Sequence, residues 1–177
     1  MSAALVADIG GSKSRFGLVN ATGLPERVVV IENDTVPDLE TAVTRYLKDT
    51  GARPQAAVMA IAGPIQGEEI ALTNRAWRFR RADLAARFGF AQLDIVNDFE
   101  AVGWALPRLT AAHTRRLGPG ALREEGVKVV LGPGTGLGVA ALLPADGRFF
   151  VVASEGGHAS FGARAGVYCK MSTYMSI

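Results

Sequence analysis

An α/β fold built on a mixed sheet is what this sequence predicts, and three observations predict it. Short apolar, β-branched runs recur along the chain. The first three are separated only by turn residues, so they read as an antiparallel ribbon. The later ones alternate with segments of helical period, the pattern of strands joined through helices.

Taken in order, Leu5 to Asp8 is a buried strand that runs directly into Gly10-Gly11. Arg15 to Val19 is the second strand, Ala21-Thr22-Gly23 a turn, and Val28 to Ile31 the third strand. Asp38 can cap a helix whose apolar positions are Leu39, Ala42, Val43, Tyr46 and Leu47. Gly51 to Pro54 ends it. Ala56 to Ala62 is apolar throughout and predicts a strand buried on both faces. Gly63-Pro64 breaks that strand, and Ile70 to Thr73 is a short one. Arg81 to Phe88 is a helix stopped by Gly89. Leu93 to Val96 is a strand that delivers Asn97-Asp98, and Phe99 to Leu106 is a helix closed by Pro107. Leu109 to Glu125 has the Gly, Pro and Arg content of a connector. Val127 to Leu131, Val139 to Leu143 and Phe149 to Ala153 then begin a second sheet.

Bulk composition excludes several function classes. Of the 177 residues, 49% are apolar and 20% charged, enough to bury a core and too apolar for intrinsic disorder. A formal charge of +2 does not suggest a nucleic-acid binder, and the Arg80-Arg81 and Arg115-Arg116 pairs read as solvated surface. Cys169 is the single cysteine, so neither an intrachain disulfide nor a multi-thiolate zinc site can form. That usage fits a reducing, cytoplasmic location. The N-terminus has no basic region followed by a long apolar one, and no apolar run is long enough to span a bilayer.

Four segments carry candidate chemistry. In Asp8-Ile9-Gly10-Gly11-Ser12, an acid ends a buried strand, two glycines permit positive φ and close backbone approach, and a hydroxyl follows. Backbone N–H groups there can form an anion nest, and Asp8 can hold the hydration shell of Mg²⁺. A tight hairpin turn would need the same glycines. In Leu131 to Gly138, four glycines alternate between two strands. The stretch lacks both the Gly-Lys-Ser/Thr ending of a P-loop and the helix of a dinucleotide fingerprint. Bare backbone with one hydroxyl, Thr135, suits phosphate contact, and four glycines exceed what a hairpin needs. Asn97-Asp98, between a strand and a helix, offers a carboxylate as general base, although helix capping alone explains the pair better. In Glu155-Gly156-Gly157-His158, a carboxylate and an imidazole flank two glycines and can hydrogen-bond adjacent sugar hydroxyls. His113, in the connector, reads as surface.

In this order the four segments resemble the hexokinase-type glucokinases of bacteria, members of the actin-like ATPase superfamily with a ribonuclease H-like fold. The resemblance runs from about Leu5 to about Gly162 and includes Ala60-Ile61-Ala62-Gly63-Pro64-Ile65 and Leu72-Thr73-Asn74-Arg75-Ala76-Trp77. It implies ATP-dependent phosphorylation of glucose to glucose 6-phosphate, with ATP and Mg²⁺ as cofactors. Asp98 matches the general base toward the sugar 6-hydroxyl. Asn97, Glu155 and His158 match sugar-binding residues, and Asn74 borders the sugar cleft. Asp8, Gly10, Gly11 and Ser12 match the first phosphate motif, and Gly134, Thr135 and Gly136 the second. No side chain is expected to ligate the metal directly. The family further implies glucose as partner, neither nucleic acid nor membrane, and leaves a homodimer open for the full-length enzyme.

The sequence departs from the family in two places. Ser12-Lys13-Ser14 stands where Thr-Asn-Ala is usual, so Lys13 adds a charge beside the phosphates. After about Ala163 the family pattern is lost. Residues 1–108 are therefore expected to form a small N-terminal α/β domain, and residues 109–177 the start of a truncated large domain with an atypical tail over 164–177. An inactive remnant and a sugar-binding regulator of the related kinase-like family are the alternative readings. The regulators tend to carry an N-terminal helix-turn-helix and a cysteine-rich zinc motif, which this sequence lacks.

Overall fold

The computed structural model describes residues 4–73, 75–121, 123–133, 137–154 and 156–158. Five strands form the first sheet: β1 (Ala4–Ile9), β2 (Lys13–Val19), β3 (Pro25–Glu32), β4 (Ala56–Ile61) and β7 (Gln92–Asn97), in the order β3-β2-β1-β4-β7. β1, β2 and β3 form the antiparallel meander that their tight turns dictate. β4 and β7 join parallel to β1, each reached through a helical crossover. β5 (Glu69–Ala71) and β6 (Arg78–Arg80) make a separate two-stranded ribbon.

The helices start and stop where local chemistry requires. Asp38 caps α1 (Leu39–Thr50), accepting from the Thr41 N–H at 2.7 Å, and Gly51 ends it in the left-handed conformation. α2 (Arg81–Phe88) ends at Gly89, also left-handed. The apolar stripe of α1 buries Leu39, Ala42, Val43 and Tyr46 on one face of the first sheet, against Leu5, Ile9, Phe16, Met59 and Ile61. Phe16 stacks on Tyr46 at 5.4 Å between ring centroids.

β4 departs from its expected burial. Its side chains alternate, and Val58 is 41% exposed. Only one face of the first sheet carries α1 and α2. The opposite face, with Val6, Val28, Val58 and Ala60, borders an open apolar hollow that reaches Ala101. A second departure is β6, whose charged flanks around Phe79 do not read as a strand although Phe79 itself is buried.

The second sheet is the antiparallel set β8 (Lys128–Pro133), β9 (Leu137–Ala145) and β10 (Arg148–Ser154), ordered β10-β9-β8. One of its faces buries Ala140 and Leu142, while Val129, Leu131, Phe150 and Val152 are exposed on the other. α3 (Asp98–Ala105) touches β4 and β7 of the first sheet and all three strands of the second. Among the described residues no helix is long and apolar enough to cross a membrane.

Candidate active site

Three parallel strands end side by side, with Ile9, Ile61 and Asn97 in register. The carboxyl ends of parallel strands are where open α/β sheets bind ligands. Asp8, Gly63 and Asp98 all cluster about these ends.

The turn after β1 is closed by a hydrogen bond from the Gly10 N–H to the Lys13 carbonyl oxygen at 3.0 Å. Neither Gly10 nor Gly11 has a positive φ, so the expected conformational reason for the glycine pair does not hold. Crowding is the reason at Gly10, where a Cβ would stand 3.2 Å from the Lys13 carbonyl oxygen. Among the described residues the Gly11 and Ser12 N–H groups have no protein acceptor, as an anion nest needs.

Asn33, a residue that sequence reading did not single out, fixes this turn from below. Its Nδ2 donates to the carbonyls of Gly10 at 2.8 Å and Gly11 at 3.3 Å. Its backbone N–H donates to the Ser12 carbonyl at 2.8 Å, and its Oδ1 accepts from the Ser14 hydroxyl at 2.7 Å. Arg75 adds a further donor to Gly11 at 3.2 Å while paired with Asp34 and stacked over Trp77. The turn's carbonyls are thereby held away from the two free N–H groups. Lys13 pairs with Glu32 across the β2–β3 ladder at 2.8 Å, which offsets the charge it adds.

Asp8 pairs with its cross-strand neighbour Arg15 at 2.9 Å. Both side chains are half exposed, so the pair orients Asp8 more than it stabilises the fold. Asp98 occupies the first turn of α3. Burial raises its carboxyl above the ordinary range, the Asp8 charge adds to that, and the Phe99 N–H, donating at 2.9 Å, opposes it.

Asn97 is the N-cap of α3. Its Oδ1 accepts from the N–H groups of Phe99 at 2.9 Å and Glu100 at 3.2 Å, and its Nδ2 donates to the Gly63 carbonyl at 3.1 Å. Asn74, Gly134, Thr135, Gly136 and Glu155 lie outside the described residues. The backbone of His158 closes a short 3-10 turn, Gly156–His158, that packs against β9. His113 sits in the connector, exposed, its ring bonded to Thr110. Among the described residues no three His, Cys, Asp or Glu side chains cluster as a metal site.

The bifunctional protein glk of Burkholderia lata is 44% identical over 158 residues, which are 89% of this chain and 25% of that protein. The glucokinase of Chromobacterium violaceum is 41% identical over 158 residues, 45% of its length. The chain thus spans a quarter to just under half of these relatives. In three dimensions, the crystal structure of a glucokinase from an Antarctic psychrotroph matches with a TM-score of 0.85 at 33% identity, covering 98% of this chain and 56% of that one. The fold is therefore the actin-like ATPase fold. The family model for glucokinase matches residues 5–176, and with that span the chain belongs to the glucokinase family.

Proposed function

We propose that the protein phosphorylates glucose at its 6-hydroxyl with ATP as donor, and that Asp98 is the general base. The observation that carries this is the position of Asp98. It lies at the carboxyl ends of three parallel strands, on the first turn of a helix, half buried and within the field of Asp8. A general base works best when its pKa approaches the operating pH, and burial and the Asp8 charge both move Asp98 in that direction. The reaction needs little covalent help from the protein. Holding acceptor, γ-phosphate and base in line is most of catalysis.

In this reading Gly10, Gly11 and Ser12 receive the nucleotide phosphates through the free N–H groups of the turn, and Gly134, Thr135 and Gly136 form the second phosphate loop. Asn97, Glu155 and His158 bind the sugar, with Asn74 at the border of its cleft. Residues 1–108 act as the small domain, and residues 109–177 belong to the large one. Asp98 lies within the field of the Asp8 charge, and in this reading Asp8 would hold Mg²⁺ through water. Mg²⁺ bound with ATP supplies charge neutralisation to the transferred phosphoryl group.

The test is a coupled assay for glucose 6-phosphate. It is run on the 177-residue chain and on a chimaera that continues it with the remainder of the Chromobacterium violaceum enzyme. Asp98→Ala is expected to lower kcat by about 10²–10⁴-fold and to change KM for glucose far less. Near-parental turnover in Asp98→Ala would return Asp98 to the role of a helix-start residue. No turnover in the unsubstituted chimaera would remove the kinase reading itself.

A further inference from the structure

Glycine inside a strand weakens it, through backbone entropy and the lack of a side chain to pack, and often marks a place where another group comes close. β8 and β9 each carry one, Gly132 and Gly138, and the two are register partners in the ladder. What comes close is the ring of Phe99. A Cβ on Gly132 would stand 2.6 Å from Phe99 Cζ and 2.7 Å from Cε1, and a Cβ on Gly138 would enter the ring. One turn further along the same face of α3 the relation reverses. A Cβ on Gly103 would stand 2.7 Å from Val151 Cγ1 of β10. The helix is thus seated by its own ring at one end and by a side chain of the sheet at the other.

Phe99 also carries the N–H that donates to both Asp98 Oδ1 and Asn97 Oδ1, each at 2.9 Å. We propose that Phe99 is a positioning residue for the phosphoryl transfer: its ring, seated on the Gly132–Gly138 pair, fixes the first turn of α3 and with it the direction of the Asp98 carboxylate. The two outer glycines of the alternating set are then there to admit an aromatic ring, a different task from phosphate contact at the inner positions. This rests on the reading of Asp98 as the base.

The closing experiment uses steric compensation. Leucine lacks the outer ring atoms that crowd Gly132, so Phe99→Leu makes room for a methyl group there. Gly132→Ala alone is expected to lower kcat by about 10–100-fold, with KM for glucose within about threefold, because a base held at the wrong angle affects the transition state and not ground-state binding. Adding Phe99→Leu to Gly132→Ala should recover most of that loss. Hydrogen exchange at the Phe99 and Glu100 amides of the 177-residue chain gives a readout independent of activity. Protection there should fall in Gly132→Ala and return in the double variant. Parental kcat and protection in Gly132→Ala, or a double variant no better than the single, overturns the proposal. A purely structural contact would lower the thermal midpoint without separating kcat from KM, and that result overturns it too. If the unsubstituted chimaera fails to phosphorylate glucose, the kinase reading falls, while the exchange pattern still decides whether the ring fixes this turn.

Discussion

The Ser14 hydroxyl donates to Asn33 Oδ1 at 2.7 Å, and both side chains are fully excluded from solvent. A buried polar pair of this kind is stable because each group satisfies the other, and removing one partner leaves the other desolvated and unpaired. Asn33→Ala would orphan the Ser14 hydroxyl and withdraw the Nδ2 donor from the carbonyls of Gly10 and Gly11. A destabilisation of about 2–4 kcal/mol is expected in urea unfolding. Ser14→Ala should cost less, because the Asn33 amide keeps its bonds to the turn. Equal losses in the two variants would mean that the amide bonds to Gly10 and Gly11 contribute nothing.

The same turn marks the limit of what the sequence makes legible. Glu32-Asn33-Asp34 is a run of polar residues, and nothing local says that its middle residue is buried. That burial comes from a contact with residues 10–14, some twenty positions back. Where the signal is local, the reading and the structure agree. Asp38 caps α1, Gly51 and Gly89 end their helices in the left-handed region, and α2 spans the residues expected of it. Where it depends on a distant partner, they part. Val58 looks like an interior residue because its strand is apolar, but it lines an open hollow and is 41% exposed. Gly132 and Gly138 look like parts of one phosphate loop because the ring that fills their space is remote in sequence. Asp98 was legible as an acid placed after a strand. The influence of Asp8 on it required the parallel pairing of β1, β4 and β7.

That influence makes Asp98 a site where function opposes stability. Burial and the Asp8 charge raise its carboxyl above the ordinary value in the folded chain, so the ionised form is disfavoured there. Below the ordinary carboxylate pKa the group is protonated in folded and unfolded chains alike, and no penalty exists. As pH rises through the ordinary value toward the folded-state one, the unfolded chain releases its proton first and stability falls. Above both values the full deficit remains. Asp98→Asn keeps an acceptor for the Phe99 N–H and removes the charge. It is expected to raise the thermal midpoint at neutral pH, with the gain shrinking as pH falls through the carboxylate range. A midpoint unchanged at neutral pH, or a gain that persists in acid, would contradict the assigned cause.

Gly63 joins the end of β4 to the site through its backbone. Its φ is +147°, a conformation that side chains rarely adopt, and a Cβ there would stand 2.8 Å from Thr73 Oγ1. Its carbonyl accepts the Asn97 Nδ2 bond that anchors the cap of α3. Gly63→Ala therefore meets two separate obstacles. The backbone conformation costs about 1–3 kcal/mol for a residue with a Cβ. The clash with Thr73 adds to it and pushes the Ala62–Gly63 segment away from Asn97. Thr73→Ala in the same chain removes the clash and leaves the backbone cost. Urea unfolding is thus expected to show a large loss for Gly63→Ala and partial recovery for the double variant, with kcat following the same order. An unfolding midpoint equal to the parent's in Gly63→Ala would mean that the chain does not hold this φ. Full recovery by Thr73→Ala would mean that crowding, with no backbone component, is the whole reason for glycine at this position.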